Sequence, residues 1–202
     1  MSKEMSLLRG INTLRSVRKF RQDPVPDEII RSILRAATRA ASGSNAQPWE
    51  FVVVRDAKVK ARLTEPMLRT WLERLGSGPR MSGRMKEAYD DATEMLRDTK
   101  KVPAIIYCCI DLNRVSKSEE VRYASILPAV QNLMLAAHAM GLGTCLTVHG
   151  STPTRGEPEA KRILGMPDHV KIACLVYLGY PAVKLGPPKR KPLERFTHYD
   201  RW

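Results

Sequence analysis

The sequence predicts an α+β fold. Helical and strand-like segments alternate only loosely, and residues 57 to 100 read as helical throughout. The regular strand–helix–strand repeat of a doubly wound sheet is missing. Hydrophobic residues make up 43% of the 202 positions, enough for a real core in one domain spanning 1–202. The chain carries no internal repeat, low-complexity tract or long linker.

Residues 7 to 19 read as a short basic helix that ends in Arg15-Ser16-Val17-Arg18-Lys19-Phe20. Two prolines two apart make Gln22-Asp23-Pro24-Val25-Pro26 a turn. A helix follows from about Asp27, with Asp27 as N-cap and Glu28 in the first turn. Ile29, Ile30, Ile33, Leu34 and Ala37 share one face of it, opposite Arg31, Arg35 and Arg39. Ser42-Gly43-Ser44-Asn45-Ala46-Gln47-Pro48-Trp49 breaks this helix, and Phe51 to Val54 reads as a buried strand. The polar helical stretch 57–100, interrupted by Gly76-Ser77-Gly78-Pro79, is expected to be a mobile excursion outside the core. Ala104 to Ile110 is a second strand. From Val121 to Met140 a helix is apolar on nearly every side after Ser125, so it is expected to be buried all round, at the centre of the fold or against a partner subunit. Gln131 and Asn132 within it are then buried polar groups that need partners. Gly141-Leu142-Gly143 closes this helix. Thr144 to Val148 and Ile172 to Leu178 are further strands, and Pro187 to Pro192 is a basic extended tail.

The chain holds 34 Lys and Arg against 21 Asp and Glu, a net charge of +13. That excess admits nucleic acid, a phosphorylated cofactor or an acidic membrane surface, beside the commoner case of plain solvated charge. Ser125 to Val148 lacks charged residues over a span long enough for a bilayer, but its polar residues and final turn favour a buried helix. The four cysteines form no disulfide framework and no CxxC. The N-terminus has no apolar signal region, so a cytoplasmic setting with free thiols is expected. No phosphate loop, dinucleotide fingerprint, HExxH or GxSxG is present, and the histidines lack metal-ligand spacing.

Three segments offer positive chemistry. Arg15 and Arg18 place two guanidinium forks beside the hydroxyl of Ser16, a combination suited to phosphate oxygens, although a solvated basic turn has the same sequence. The Ser42–Trp49 loop supplies donors and acceptors fit for the edge of a planar heteroaromatic ring; taken alone, a plain helix-to-strand connection anchored by Trp49 is the better reading. Lys189-Arg190-Lys191 beside prolines suits either a phosphate clamp or a solvated tail.

Taken in order, these segments resemble the nitroreductase family of FMN-dependent oxidoreductases. Leu14 to Phe20 is similar to its RRSxRxF element. Ala41 to Phe51 is similar to its PSxxNxQPWxF loop, with Ala41 in place of the usual proline. Ala129 to Ala137 with Gly141-Leu142-Gly143-Thr144 is similar to its central helix and GLGT turn, and Arg190-Lys191-Pro192-Leu193-Glu194 to its R-x-PLEE element. The resemblance implies a three-layer α-β-α sandwich with a central mixed sheet, in an intertwined homodimer with the flavin at the subunit interface. By position, Arg15, Ser16 and Arg18 would hold the FMN phosphate and ribityl chain, and Arg190 would complete the clamp with Lys189 or Lys191. Asn45 would bond the pyrimidine side of the flavin, Ser42, Gly43 and Ser44 would reach the flavin of the other subunit, and Gln131 sits on the central dimer helix. Thr147 and Val148, with His149, would lie against the ring, although this segment departs from the family's usual residues. Residues 64–100 would form a variable lid, with Met67, Leu68, Trp71, Met81, Met85 and Tyr89 as apolar contacts, and 184–202 a C-terminal extension. The implied activity is ping-pong hydride transfer from NADH or NADPH through FMN N5 to a nitroaromatic, quinone, flavin or activated alkene, with no catalytic side chain and no metal. Dehalogenation, flavin cleavage or heterocycle oxidation are alternatives on the same fold; a basic nucleic-acid-binding module is the alternative from another class.

Overall fold

The most apolar segments pair into one central sheet. A computed structural model describes residues 5–77, 81–115, 118–152 and 156–202. Strands β1 (Trp49–Val54), β2 (Ala104–Asp111), β3 (Gly143–Thr147) and β4 (Val170–Gly179) lie in the order β1-β2-β4-β3. All neighbouring strands are antiparallel. The mixed sheet implied by resemblance is therefore corrected: among the described residues, parallel pairing is confined to an isolated bridge between Ser16 and Thr144. The reason lies in the connections. From β1 the chain passes through a helical hairpin, α3 (Ala57–Ser77) and α4 (Gly83–Arg97), which returns it to the end of the sheet it left.

Period-two alternation on β2 and β4 builds a core on each face of the sheet. Ile106, Cys108, Val176 and Leu178 point toward α2 (Asp27–Ala37) and α5 (Glu119–Ala139), where Ile33, Ile126, Val130 and Leu133 are buried. Ile105, Tyr107, Leu175 and Tyr177 point the other way, onto Leu63 and Met67 of α3 and Met95 and Leu96 of α4. This is the three-layer sandwich. It also corrects part of the expectation that 57–100 lies outside the core: Leu63 and Met67 near one end and Met95 and Leu96 near the other are buried, whereas no described residue from 68 to 94 is. The helix continues through Gly76 and Ser77, while Gly78 and Pro79 lie outside the described residues.

Other elements differ from expectation. Helix α1 (Leu7–Thr13) is capped by Ser6 and stops well short of residue 19. From Leu14 the chain is extended because β3 is an edge strand with unpaired backbone groups; Val17 N–H donates to the Thr144 carbonyl at 2.8 Å. At α2 the cap position is Pro26, and Asp27 sits inside the first turn, paired with Arg55. There its charge still complements the helix dipole. Helix α6 (Glu157–Leu164), not anticipated from sequence, fills the β3–β4 connection.

Within a single chain α5 is buried on only part of its circumference. Ser125, Ile126, Ala129, Val130, Leu133 and Ala137 are buried, whereas Ala124, Leu127, Pro128 and Gln131 are exposed. Gln131 is thus not the buried polar group expected; Asn132 is half-buried and donates to the Ala36 carbonyl at 3.4 Å. Ser125 to Val148 resolves into helix, turn and strand, with Gly141 at φ +80° making the turn. Among the described residues no helix is long and apolar enough to cross a membrane.

Candidate functional site

The two ends of the folded chain are stitched together beside β3. Leaving β4, the chain turns back along the extended N-terminal segment. Arg21 N–H donates to the Tyr180 carbonyl at 2.8 Å, Ala182 N–H to the Lys19 carbonyl at 2.9 Å, and Arg15 Nη1 to the Gly186 carbonyl at 2.8 Å. These bonds carry Lys189 and Arg190 to the neighbourhood of Arg15, Ser16 and Arg18. All five residues line one cleft of about 560 Å³, walled on its other side by Arg84, Glu87, Ala88 and Asp91 of α4.

The electrostatics of this cleft are one-sided. Asp91 already pairs with Lys19 at 3.0 Å, which leaves Glu87 as the remaining carboxylate in its wall. Among the described residues the side chains of Arg18, Arg84 and Lys189 make no hydrogen bond or ion pair, and Arg190 bonds only the Lys189 carbonyl. Converging guanidinium forks beside a hydroxyl, with few internal partners, form an anion-binding concavity shaped for phosphate oxygens. Arg84 was missed by sequence reasoning. Its place depends on how α4 docks over the N-terminal segment, and no local pattern signals that.

The other expected site residues do not line this cleft. Ser42 precedes a 3-10 turn, Gly43–Asn45, in which Ser44 and Asn45 have φ of +52° and +53°, with Gln47 at +47° just beyond. Left-handed backbone at three non-glycine residues is strain that a loop holds only when fixed by its surroundings. The fixing bonds are Gly43 N–H to Ser125 Oγ at 3.2 Å, Gln47 N–H to Ser42 Oγ at 3.0 Å, and Gln47 Nε2 to Asn45 Oδ1 at 3.1 Å. The first holds the loop against α5, the helix that carries the exposed Gln131, and the other two brace the loop on itself. Thr147 ends β3 and accepts from His149 N–H at 3.0 Å, and Val148 is exposed. The buried His149 ring locks this turn to α3: Nε2 donates to the Met67 carbonyl at 2.8 Å, with Thr70 Oγ1 at 3.1 Å. Its edge meets Trp71 at 5.4 Å between centroids.

The cysteines offer no nucleophile. All four are buried, and burial pushes the Cys109 thiol up to about 12 and raises that of Cys145 as well, so neither forms a thiolate at neutral pH.

A family model described as the nitroreductase family matches residues 11–180. The chain belongs to the nitroreductase family. An NADH dehydrogenase of Thermus thermophilus is 35% identical over 192 residues, which cover 90% of this chain and 89% of that protein. Iodotyrosine deiodinase 1 of Rattus norvegicus is 30% identical over 190 residues, 90% of this chain and 65% of that longer protein. Among solved structures, oxidized iodotyrosine deiodinase bound to FMN and 3-iodo-L-tyrosine superimposes with a TM-score of 0.75 at 25% identity, covering 96% of this chain and 100% of that one. In this chain the matched span holds Arg15, Ser16 and Arg18, the Ser42 loop, α5 and β3, while Lys189 and Arg190 lie beyond it and join the cleft through the tail.

Proposed function

We propose that this member of the nitroreductase family is an FMN-dependent oxidoreductase that draws hydride from NADH or NADPH and passes reducing equivalents to an organic acceptor in a ping-pong cycle. The observation that carries the reading is the cleft in which Arg15, Ser16, Arg18, Lys189 and Arg190 meet from opposite ends of the chain. Its cations, none in an ion pair with a described residue, fit a phosphate monoester. Arg15 and Arg18 offer planar forks, Ser16 a neutral donor, Lys189 and Arg190 further charge. Bound there, FMN supplies the two-electron redox chemistry.

The remaining residues bind and orient. Asn45, with Ser42, Gly43 and Ser44, presents polar groups on a strained, pre-set loop, and Gln131 stands on the outer face of α5. We place these at a homodimer interface, so that the loop of one subunit serves the flavin of the other. Support comes from apolar surface a lone chain leaves in water: Leu127 is 43% exposed, and on the tail Leu193, Phe196, Tyr199 and Trp202 are 70%, 65%, 83% and 99% exposed. Thr147 and Val148, held rigid through His149, present backbone and an apolar side chain to the ring. No side chain acts as general acid. The cationic cleft also draws in the anionic nicotinamide nucleotide. A cytoplasmic setting that keeps the four thiols reduced suits the assignment.

Reductive dehalogenation of an aromatic substrate is the second reading, favoured by the likeness to iodotyrosine deiodinases. Anaerobic rapid mixing separates the two. We expect NADH or NADPH to bleach the flavin with no acceptor present, and a quinone or nitroaromatic to reoxidise it faster than 3-iodo-L-tyrosine. Faster iodide release points to the second reading; flavin that neither nucleotide reduces contradicts the first.

A further inference from the structure

We infer that Arg84, at the start of α4, is a ligand of the cofactor phosphate and ties helix α4 to the loaded state. The inference rests on the assignment of the cleft to FMN proposed above and adds a residue that no family motif marks. The other cations of the cleft come from the N-terminal segment and the tail, whereas Arg84 enters from the opposite wall, on the helix expected to act as a lid.

The helix geometry aims it there. Residues 84, 87, 88 and 91 repeat at three- and four-residue spacing, so they share one face of α4, and all four line the cleft. Asp91 fixes that face in place through its 3.0 Å pair with Lys19, the residue that follows Arg18. Arg84 lies two turns earlier on the same face, exposed, with no hydrogen bond or ion pair to any described residue. Glu87, one turn further along the same wall, makes no ion pair with Arg84, so among the described residues the Arg84 guanidinium keeps its donors for an anion in the cleft. A phosphate monoester carries three acceptor oxygens and close to two negative charges at neutral pH, enough for ligands from both walls.

Binding at Arg84 has a route to the rest of the site. Helix α4 is joined to α3 by the stack of Tyr89 on Trp71, 5.0 Å between centroids, and by Trp71 Nε1 donating to Thr93 Oγ1 at 2.8 Å. Trp71 in turn meets His149, next to Thr147 and Val148. A phosphate gripped by Arg84 therefore steadies the helices that cover the ring.

The test compares FMN with riboflavin, which lacks the phosphate. Apoprotein of the wild type, Arg84→Gln, Arg84→Lys and the control Arg74→Gln is titrated with each flavin by fluorescence quenching, and amide exchange in α4 is followed in parallel. Arg84→Gln is expected to raise the FMN Kd about ten-fold, the scale of one charge-assisted hydrogen bond, and to leave riboflavin unchanged. Arg84→Lys recovers part of the loss, and Arg74→Gln matches the wild type. FMN, unlike riboflavin, slows exchange in wild-type α4, and Arg84→Gln abolishes that protection. An Arg84→Gln variant with wild-type FMN affinity, or one that loses both flavins equally, overturns the inference. A wild type that binds riboflavin as tightly as FMN removes the phosphate reading of the cleft and this inference with it.

Discussion

At Gly143 a missing methyl group decides where the binding segment lies. A Cβ there would stand 2.6 Å from Val17 Cγ2 and 2.8 Å from Val17 Cβ, well inside contact distance. Only the bare backbone lets Val17 settle on β3, and Val17 registers Ser16 and Arg18 on either side of it. Gly143→Ala is therefore expected to cost about 1–3 kcal/mol, the usual range for overpacking, and to lower Tm by several degrees. It should also weaken FMN retention, because the segment must move. The double variant Gly143→Ala/Val17→Ala should recover both; a single variant with unchanged Tm and flavin affinity would show that the close approach is not needed. Legibility at this scale was uneven. Arg15, Ser16, Arg18, Lys189 and Arg190 stood out because two arginines around a hydroxyl and a basic tail are local patterns. Arg84 was invisible because its role comes from the docking of α4.

The four strands are legible to within two residues at every end, since β-branched and cysteine-rich runs bounded by glycine or proline have few other fates. The basic segment after α1 was misread as helix because its preference is weak and the free edge of β3 overrides it. Helix α5 was placed well, but its burial was not. Its sequence is apolar on all sides, yet Ala124, Leu127 and Pro128 remain exposed in the single chain. That face is the element the proposed homodimer needs. A charge at its centre, Leu127→Glu, is expected to turn a dimeric wild type into a monomer of 22.8 kDa by sedimentation velocity, and to strip most of its flavin. A wild type that sediments as a flavin-loaded monomer would refute the shared site.

Across the whole molecule, the charge of +13 resolves into two populations. Arg15, Arg18, Arg84, Lys189 and Arg190, drawn from three regions of the chain, line one cleft. Others, such as Arg31, Arg35 and Arg39, lie exposed on or just beyond α2, where solvated charge is sufficient explanation. The three-layer core makes the convergence possible by returning β4 to the side of the sheet where the N-terminal segment covers β3. The central claim is that this convergence exists to hold the phosphate of FMN. Its most direct test is the chromophore of the purified protein: absorbance, then the mass of whatever denaturation releases. The account predicts a yellow protein that releases FMN and, once stripped, takes up added FMN again. A colourless protein that does not bind added FMN would contradict it.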